Sequence, residues 1–210
     1  MIKQIIFDLD GTLVDSLDIF IKIGNEMAHR YGYQPITQEK IKELLKLPMR
    51  KRIESLKIPV FKIPKIGVEI LNAFNSYAAE IKPIEGIADM LHTLHRKGYG
   101  LNIVSSNSVH NIETFLKVND LELFDNIQSS KGLFGKHVTI GRLITKLGAA
   151  KEDVIYIGDE QRDVEASRKI GIRVISVLWG FDSKELLEKV EPHFYASKPG
   201  DIVEIIEAIE

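Results

Sequence analysis

The chain has no cysteine, and that absence excludes disulfides, thiolate metal sites and a cysteine nucleophile together. Positive charge is not in excess either. Lys and Arg total 28 against 30 Asp and Glu, a formal charge of -2, so no net basic field draws nucleic acid or an anionic membrane. Any anionic partner must therefore be bound locally. No apolar run approaches the roughly 18 residues of a membrane span, and the stretch between Lys3 and Asp8 is too short for a signal region. A cytoplasmic location is expected. Internal repeats and low-complexity tracts are lacking, as is the G-x-x-x-x-G-K-[ST] phosphate loop.

What is present is an ordinary globular balance over 210 residues, 44% hydrophobic and 28% charged, enough for one domain or a domain with a sizeable insertion. Short β-branched runs occur at 2–8, 99–106, 125–130, 153–159 and 172–180. From the second onward, each run leads through turn residues into a stretch with helical spacing, which predicts an α/β fold on a mainly parallel sheet. Residues 17–81 break the rhythm with helical stretches and no convincing strand, and so read as a helical insertion into a core of 1–16 and 82–210. Within it, "KIPVFKIPK", with Pro59 and Pro64, reads as a turn or loop, and "KIGVEILNAFNSYAAEI" as a helix.

Ligands of an open parallel sheet bind beyond the carboxyl ends of its strands, so the polar residues just after each apolar run matter most. The first run ends at Asp8 and Asp10, the second at Ser105, Ser106 and Asn107, and the fourth at Asp159, Glu160 and Asp163. Lys136, in "GLFGKHV", lies between the third and fourth. Unpaired buried carboxylates cost several kcal/mol each, so these acids call for a cation. Oxygen ligands from distant segments suit Mg²⁺, which fills its octahedron with water and substrate phosphate. Ser105, the backbone N–H groups after it and Lys136 suit a phosphate. Together they describe phosphoryl transfer. Ser106 competes with Ser105 for register, and Ser105 is preferred as the first hydroxyl after the run. Lys131 competes with Lys136, which is favoured by its spacing to the Asp159 motif and its place before a helix. Glu160 either touches the site or opens a helix. In the insertion, the basic cluster "MRKR" at 49–52 offers Arg50 as a contact for an anionic substrate tail. The six histidines lack ligand spacing, and Trp179 reads as a packing residue.

Four stretches in order, "FDLDGTLVDS", "IVSSNS", "FGKH" and "YIGDEQRDVEASRKIGI", resemble the motifs of the haloacid dehalogenase (HAD) superfamily, in its phosphoglycolate phosphatase-like branch with a helical cap. The resemblance spans essentially the whole chain. It implies a Rossmann-like parallel sheet core with strand order 3-2-1-4-5 and a small α-helical cap domain at 17–81. It makes Asp8 the nucleophile that accepts the phosphoryl group as an aspartyl-phosphate, while Asp10 protonates the leaving oxygen and later serves as general base. It places Mg²⁺ on the Asp8 side chain, the Asp10 backbone carbonyl and the Asp159 side chain, with Asp163 orienting a metal-bound water or Lys136. Ser105, with the N–H of Ser106, would hold a phosphoryl oxygen while Lys136 neutralises charge. Gly11 permits the tight exit from the strand, and Thr12 and Asp15 fix the loop beyond it. The implied activity is Mg²⁺-dependent hydrolysis of a small phosphorylated metabolite, without nucleic acid or membrane, by a monomer or homodimer. A phosphomutase of the β-phosphoglucomutase type shares these motifs, and a catalytically retired interaction protein on the same fold is the non-enzymatic alternative.

Overall fold

Each β-branched run forms a strand of one sheet in the computed structural model, which describes residues 1–78, 80–130 and 135–209. Lys131 lies outside these residues. The strands are β1 (Gln4–Phe7), β2 (Gly100–Ser105), β3 (Asn126–Ser129), β4 (Val154–Gly158), β5 (Arg173–Val177) and β6 (Phe194–Ala196). They pair in parallel in the order β3-β2-β1-β4-β5-β6. The expected order is thus found, extended by β6, a three-residue edge strand too short to show any alternation in the sequence.

Central strands are apolar at successive positions because both sheet faces are covered. Ile5, Phe7, Leu101, Ile103, Ile155 and Ile157 share one core with Ile87 and Leu91 of α5 (Ile87–Arg96), Ile112 and Phe115 of α6 (Val109–Val118), and Ile202 and Ile206 of α10 (Pro199–Ala208). Ile6, Val104, Tyr156 and Val174 point the other way, onto Ile140 and Leu143 of α7 (Lys136–Leu147) and Val164 of α8 (Gln161–Ile170). Strand order reverses between β1 and β4, so the connections leaving these two strands diverge and open a crevice at their carboxyl ends.

The stretch between β1 and α5 holds α1 (Leu17–Tyr31), α2 (Gln38–Leu44), α3 (Met49–Ser55) and α4 (Ile63–Phe74), with no strand among its described residues. Two local readings need correction. Pro64 is not in a loop but in the first turn of α4, where its missing N–H has no helical partner to lose. That helix ends at Phe74 instead of running on to residue 81. The segment is fastened to the core by the Ser183 N–H donating to the Leu45 carbonyl at 3.2 Å and by Phe20 edge-on to Phe181 at 6.2 Å. The short helix α9 (Lys184–Glu188) follows that contact. No helix among the described residues is long and apolar enough to cross a membrane.

Candidate active site

Asp8 follows the last residue of β1, and its N–H still donates to the Ile157 carbonyl of β4 at 2.9 Å, so the backbone beneath it is locked into the sheet. The chain then turns sharply. The N–H groups of Thr12, Leu13 and Val14 all converge on the Leu9 carbonyl, at 3.2, 2.8 and 3.1 Å. Gly11 adopts φ +78° in this turn, and a Cβ there would also collide with the Asp159 carboxylate.

Beyond the turn, acids from two segments come together. One carboxylate oxygen from each of Asp8, Asp159 and Asp163 lies within 4.8 Å of the other two, and all three residues are buried. Lys136, 3% exposed at the start of α7, donates to Asp8 Oδ2 at 2.6 Å and to Asp163 Oδ1 at 2.5 Å. Asp159 accepts from the Thr12 hydroxyl at 2.9 Å and the Phe181 N–H at 2.7 Å. Asp163 also caps its own helix by accepting the Glu160 N–H at 3.1 Å.

Electrostatically the acids are short of positive charge. Burial, followed by Glu160, Asp163 and Asp8, holds Asp159 well above the ordinary carboxylate range. Burial likewise raises Asp8, with Asp163 adding to it and Lys136 opposing it. For Lys136, burial alone would favour the neutral amine, yet Asp163 and Asp8 carry it above the usual lysine value. Three oxygen-only donors whose charges repel, with no histidine or thiolate among them, fit a small, hard divalent cation.

Asp10 is built differently. Its side chain accepts from Ser16 Oγ at 2.8 Å and from Asn107 Nδ2 at 3.1 Å, and it is not one of the three carboxylates that meet. Burial and the charge of Asp8 push its carboxyl up to about 6, against those two donors. In the metal-free protein, the folded state therefore holds an extra proton between 3.8 and about 6, and stability contributed by this group declines as pH rises through that window. Asn107→Ala removes a donor that favours the charged form. The Asp10 titration is expected to move to higher pH by carboxyl ¹³C NMR; an unchanged or lower value would show that the amide does not hold the carboxylate.

Ser105, ending β2, is 1% exposed, and its Oγ accepts the Asn107 N–H at 3.1 Å, leaving its own O–H to donate. Ser106 Oγ accepts from Arg162 Nη1 at 3.1 Å. Glu160 opens a helix, standing just before α8, and at 2% exposure it pairs with Arg162. Trp179 packs, donating from Nε1 to the Thr12 carbonyl at 3.1 Å. The anchoring expected of Asp15 falls instead to Ser16, which is fully buried against Asp10, whereas Asp15 is exposed. Arg50 is exposed in the first turn of α3 and lines a cavity of about 330 Å³ with Lys136, His137, Arg162 and Lys169. Sequence reasoning missed Arg162; its sole signal was its place among the three acids of "GDEQRD".

Gly180 completes the mould around Asp159. A Cβ at Gly180 would overlap the Asp159 Cβ itself, so neither side chain can yield by rotating. Gly180→Ala is expected to lower stability by about 1–3 kcal/mol and to weaken Mg²⁺ binding, both read from thermal melts with and without the ion. Wild-type behaviour would show that the loop simply shifts.

Against known proteins, the model for haloacid dehalogenase-like hydrolases matches residues 5–177. A phosphoglycolate phosphatase of Synechococcus elongatus is 31% identical over 205 residues, covering 97% of each chain. Pyrophosphatase PpaX of Anoxybacillus flavithermus is 28% identical, covering 98% of this chain and 97% of its own. Among solved structures, a haloacid dehalogenase-like family hydrolase of Streptococcus pneumoniae superposes with a TM-score of 0.82 over 98% of both chains at 24% identity, which speaks for the fold. The sequence match along nearly the entire catalytic sheet, from β1 to β5, shows that this chain belongs to the haloacid dehalogenase-like hydrolase family, on its phosphoglycolate phosphatase-like branch.

Proposed function

We propose that the protein is a Mg²⁺-dependent phosphatase of small phosphate monoesters, working through a phosphorylated Asp8. The observation that carries the reading is the meeting of the Asp8, Asp159 and Asp163 carboxylates within 4.8 Å, with Lys136 2.6 Å from the Asp8 oxygen. Two relatives matched along their length are named for phosphate-releasing activities, which agrees with it.

In this reading Asp8 Oδ attacks phosphorus and Asp10 gives its proton to the leaving oxygen. A carboxyl pushed up to about 6 is suited to both giving that proton and taking one back from the water that later releases phosphate. Lys136 neutralises charge on the transferring group, and the Ser105 hydroxyl and Ser106 N–H orient its oxygens. Mg²⁺, held by the Asp8 and Asp159 side chains and the Asp10 carbonyl, would supply further charge neutralisation. Asp163 keeps Lys136 in place. Residues 17–81 act as a cap that excludes bulk water, and Arg50, on the shared cavity, meets an anionic tail of the substrate.

A panel of phosphorylated metabolites including 2-phosphoglycolate, pyrophosphate and sugar phosphates, assayed with Mg²⁺ and with EDTA, tests the reading. Phosphate release that EDTA abolishes is expected. Isomerisation of β-glucose 1-phosphate without phosphate release would indicate a mutase, and no turnover at all would favour the retired interaction protein.

A further inference from the structure

The loop after β2 is joined to the helical segment by a chain of buried charges. Arg52 of α3 is 8% exposed. Its Nε closes the α2–α3 corner by donating to the carbonyls of Leu44 at 2.9 Å and Leu47 at 2.8 Å. Its Nη2 crosses to the Asp182 carboxylate in the loop after β5, and its Nη1 lies 3.6 Å from Glu160 Oε1. Glu160 turns its other oxygen, Oε2, to Nε and Nη2 of Arg162, both at 2.5 Å. Arg162 Nη1 then donates to Ser106 Oγ at 3.1 Å.

This arrangement divides one carboxylate between two arginines. With Arg52 present, its Nη1 stands beside Glu160 Oε1, and Arg162 engages Oε2 while its Nη1 donates to Ser106. With Arg52 withdrawn, Oε1 opens, and a guanidinium prefers to engage both oxygens of a carboxylate. Arg162 would rotate onto Glu160 and release the Ser106 hydroxyl. The roles proposed above for Asp8, Asp10, Asp159 and Lys136 do not call for burying an arginine from α3 against two acids, an arrangement that is costly unless every charge stays paired.

We propose that Arg52 is a positioning residue for the Ser105–Ser108 loop, acting through Glu160 and Arg162, so that the loop is held in place only while the helical segment is seated on the core. The consequence for catalysis rests on the phosphatase reading, whereas the coupling itself does not. Hydrogen–deuterium exchange of the full chain, without substrate, reports it through the Asn107 and Ser108 amides, which donate to Ser105 Oγ at 3.1 Å and Asn107 Oδ1 at 2.9 Å. Arg52→Met and Arg162→Met are each expected to speed their exchange about tenfold, and the double variant no more than either alone. Arg52→Lys, which keeps the charge but not the fork, is expected to lie between wild type and Arg52→Met, and it carries the test should the methionine variant fail to fold. Faster exchange confined to residues 38–55, with the loop unchanged, would overturn the proposal, as would full additivity in the double variant. A wild-type protein that hydrolyses no phosphate ester would sink the phosphatase reading and leave the exchange result standing. If both hold, kcat falls in parallel with loop protection across these variants.

Discussion

Asp8→Asn is expected to abolish phosphate release, lowering kcat by about 10⁴-fold or more, while leaving the protein folded. The substitution keeps the size and shape of the side chain but replaces the anionic carboxylate that would attack phosphorus with a neutral, weakly nucleophilic amide. Folding should survive because the exchanged group loses a charge that burial already opposes, and the remaining carbonyl oxygen can still accept the Leu9 N–H that Asp8 Oδ1 accepts at 2.8 Å. Lys136 retains Asp163 as a partner at 2.5 Å, so the buried ammonium is not left alone. A neutral amide also eases the repulsion that Asp8 imposes on Asp10 and Asp159. The thermal midpoint of the metal-free variant should therefore match or exceed wild type, and its gain on adding Mg²⁺ should shrink because one anionic ligand is gone. Turnover within tenfold of wild type would remove Asp8 from the role of nucleophile.

Lys136→Met differs in its effect on folding, with a large loss of both stability and activity. Its ammonium is the group bonded to both Asp8 and Asp163, and removing one member of a buried ionic set strands the rest. The expected loss is about 3–5 kcal/mol, which for a chain of this size lowers the melting temperature by roughly 10–15 °C. Methionine fills much of the space, so the deficit is electrostatic rather than a cavity. It follows that Mg²⁺, which would neutralise the cluster directly, should stabilise Lys136→Met by more degrees than it stabilises wild type. Rate should fall about 10²–10³-fold even with the ion present, since the transferring group loses a preorganised cation. A variant as stable as wild type without metal would mean that the acids are already protonated and that Lys136 is not their counter-charge.

These contrasts depend on pairings only partly legible in the sequence. β1, β2, β4 and β5 could be read because a strand buried on both faces needs consecutive apolar residues, and Ile5, Ile6 and Phe7 supply them. Asp8, Asp10, Asp159 and Asp163 could be singled out because they stand where those runs stop, and parallel topology carries all such positions to one edge. Lys136 required its motif context as well. By contrast, the bonds from Ser16 and Asn107 to Asp10, and the path from Arg52 through Glu160 and Arg162 to Ser106, join side chains brought together by tertiary packing alone. No periodicity marks such pairs. The early end of α4 at Phe74 was hidden for a related reason, since apolar spacing continues past the point where the helix gives way to turns at 75–78.

The most direct measurement is rapid quenching of the enzyme during turnover with Mg²⁺ and a substrate from the panel, followed by peptide mass spectrometry. One phosphoryl group is expected on the peptide containing Asp8, labile to hydroxylamine as an acyl phosphate is, and absent from Asp8→Asn. Phosphate released at full rate with no protein-bound phosphoryl group at any quench time, or a group attached to a residue other than Asp8, would contradict the mechanism.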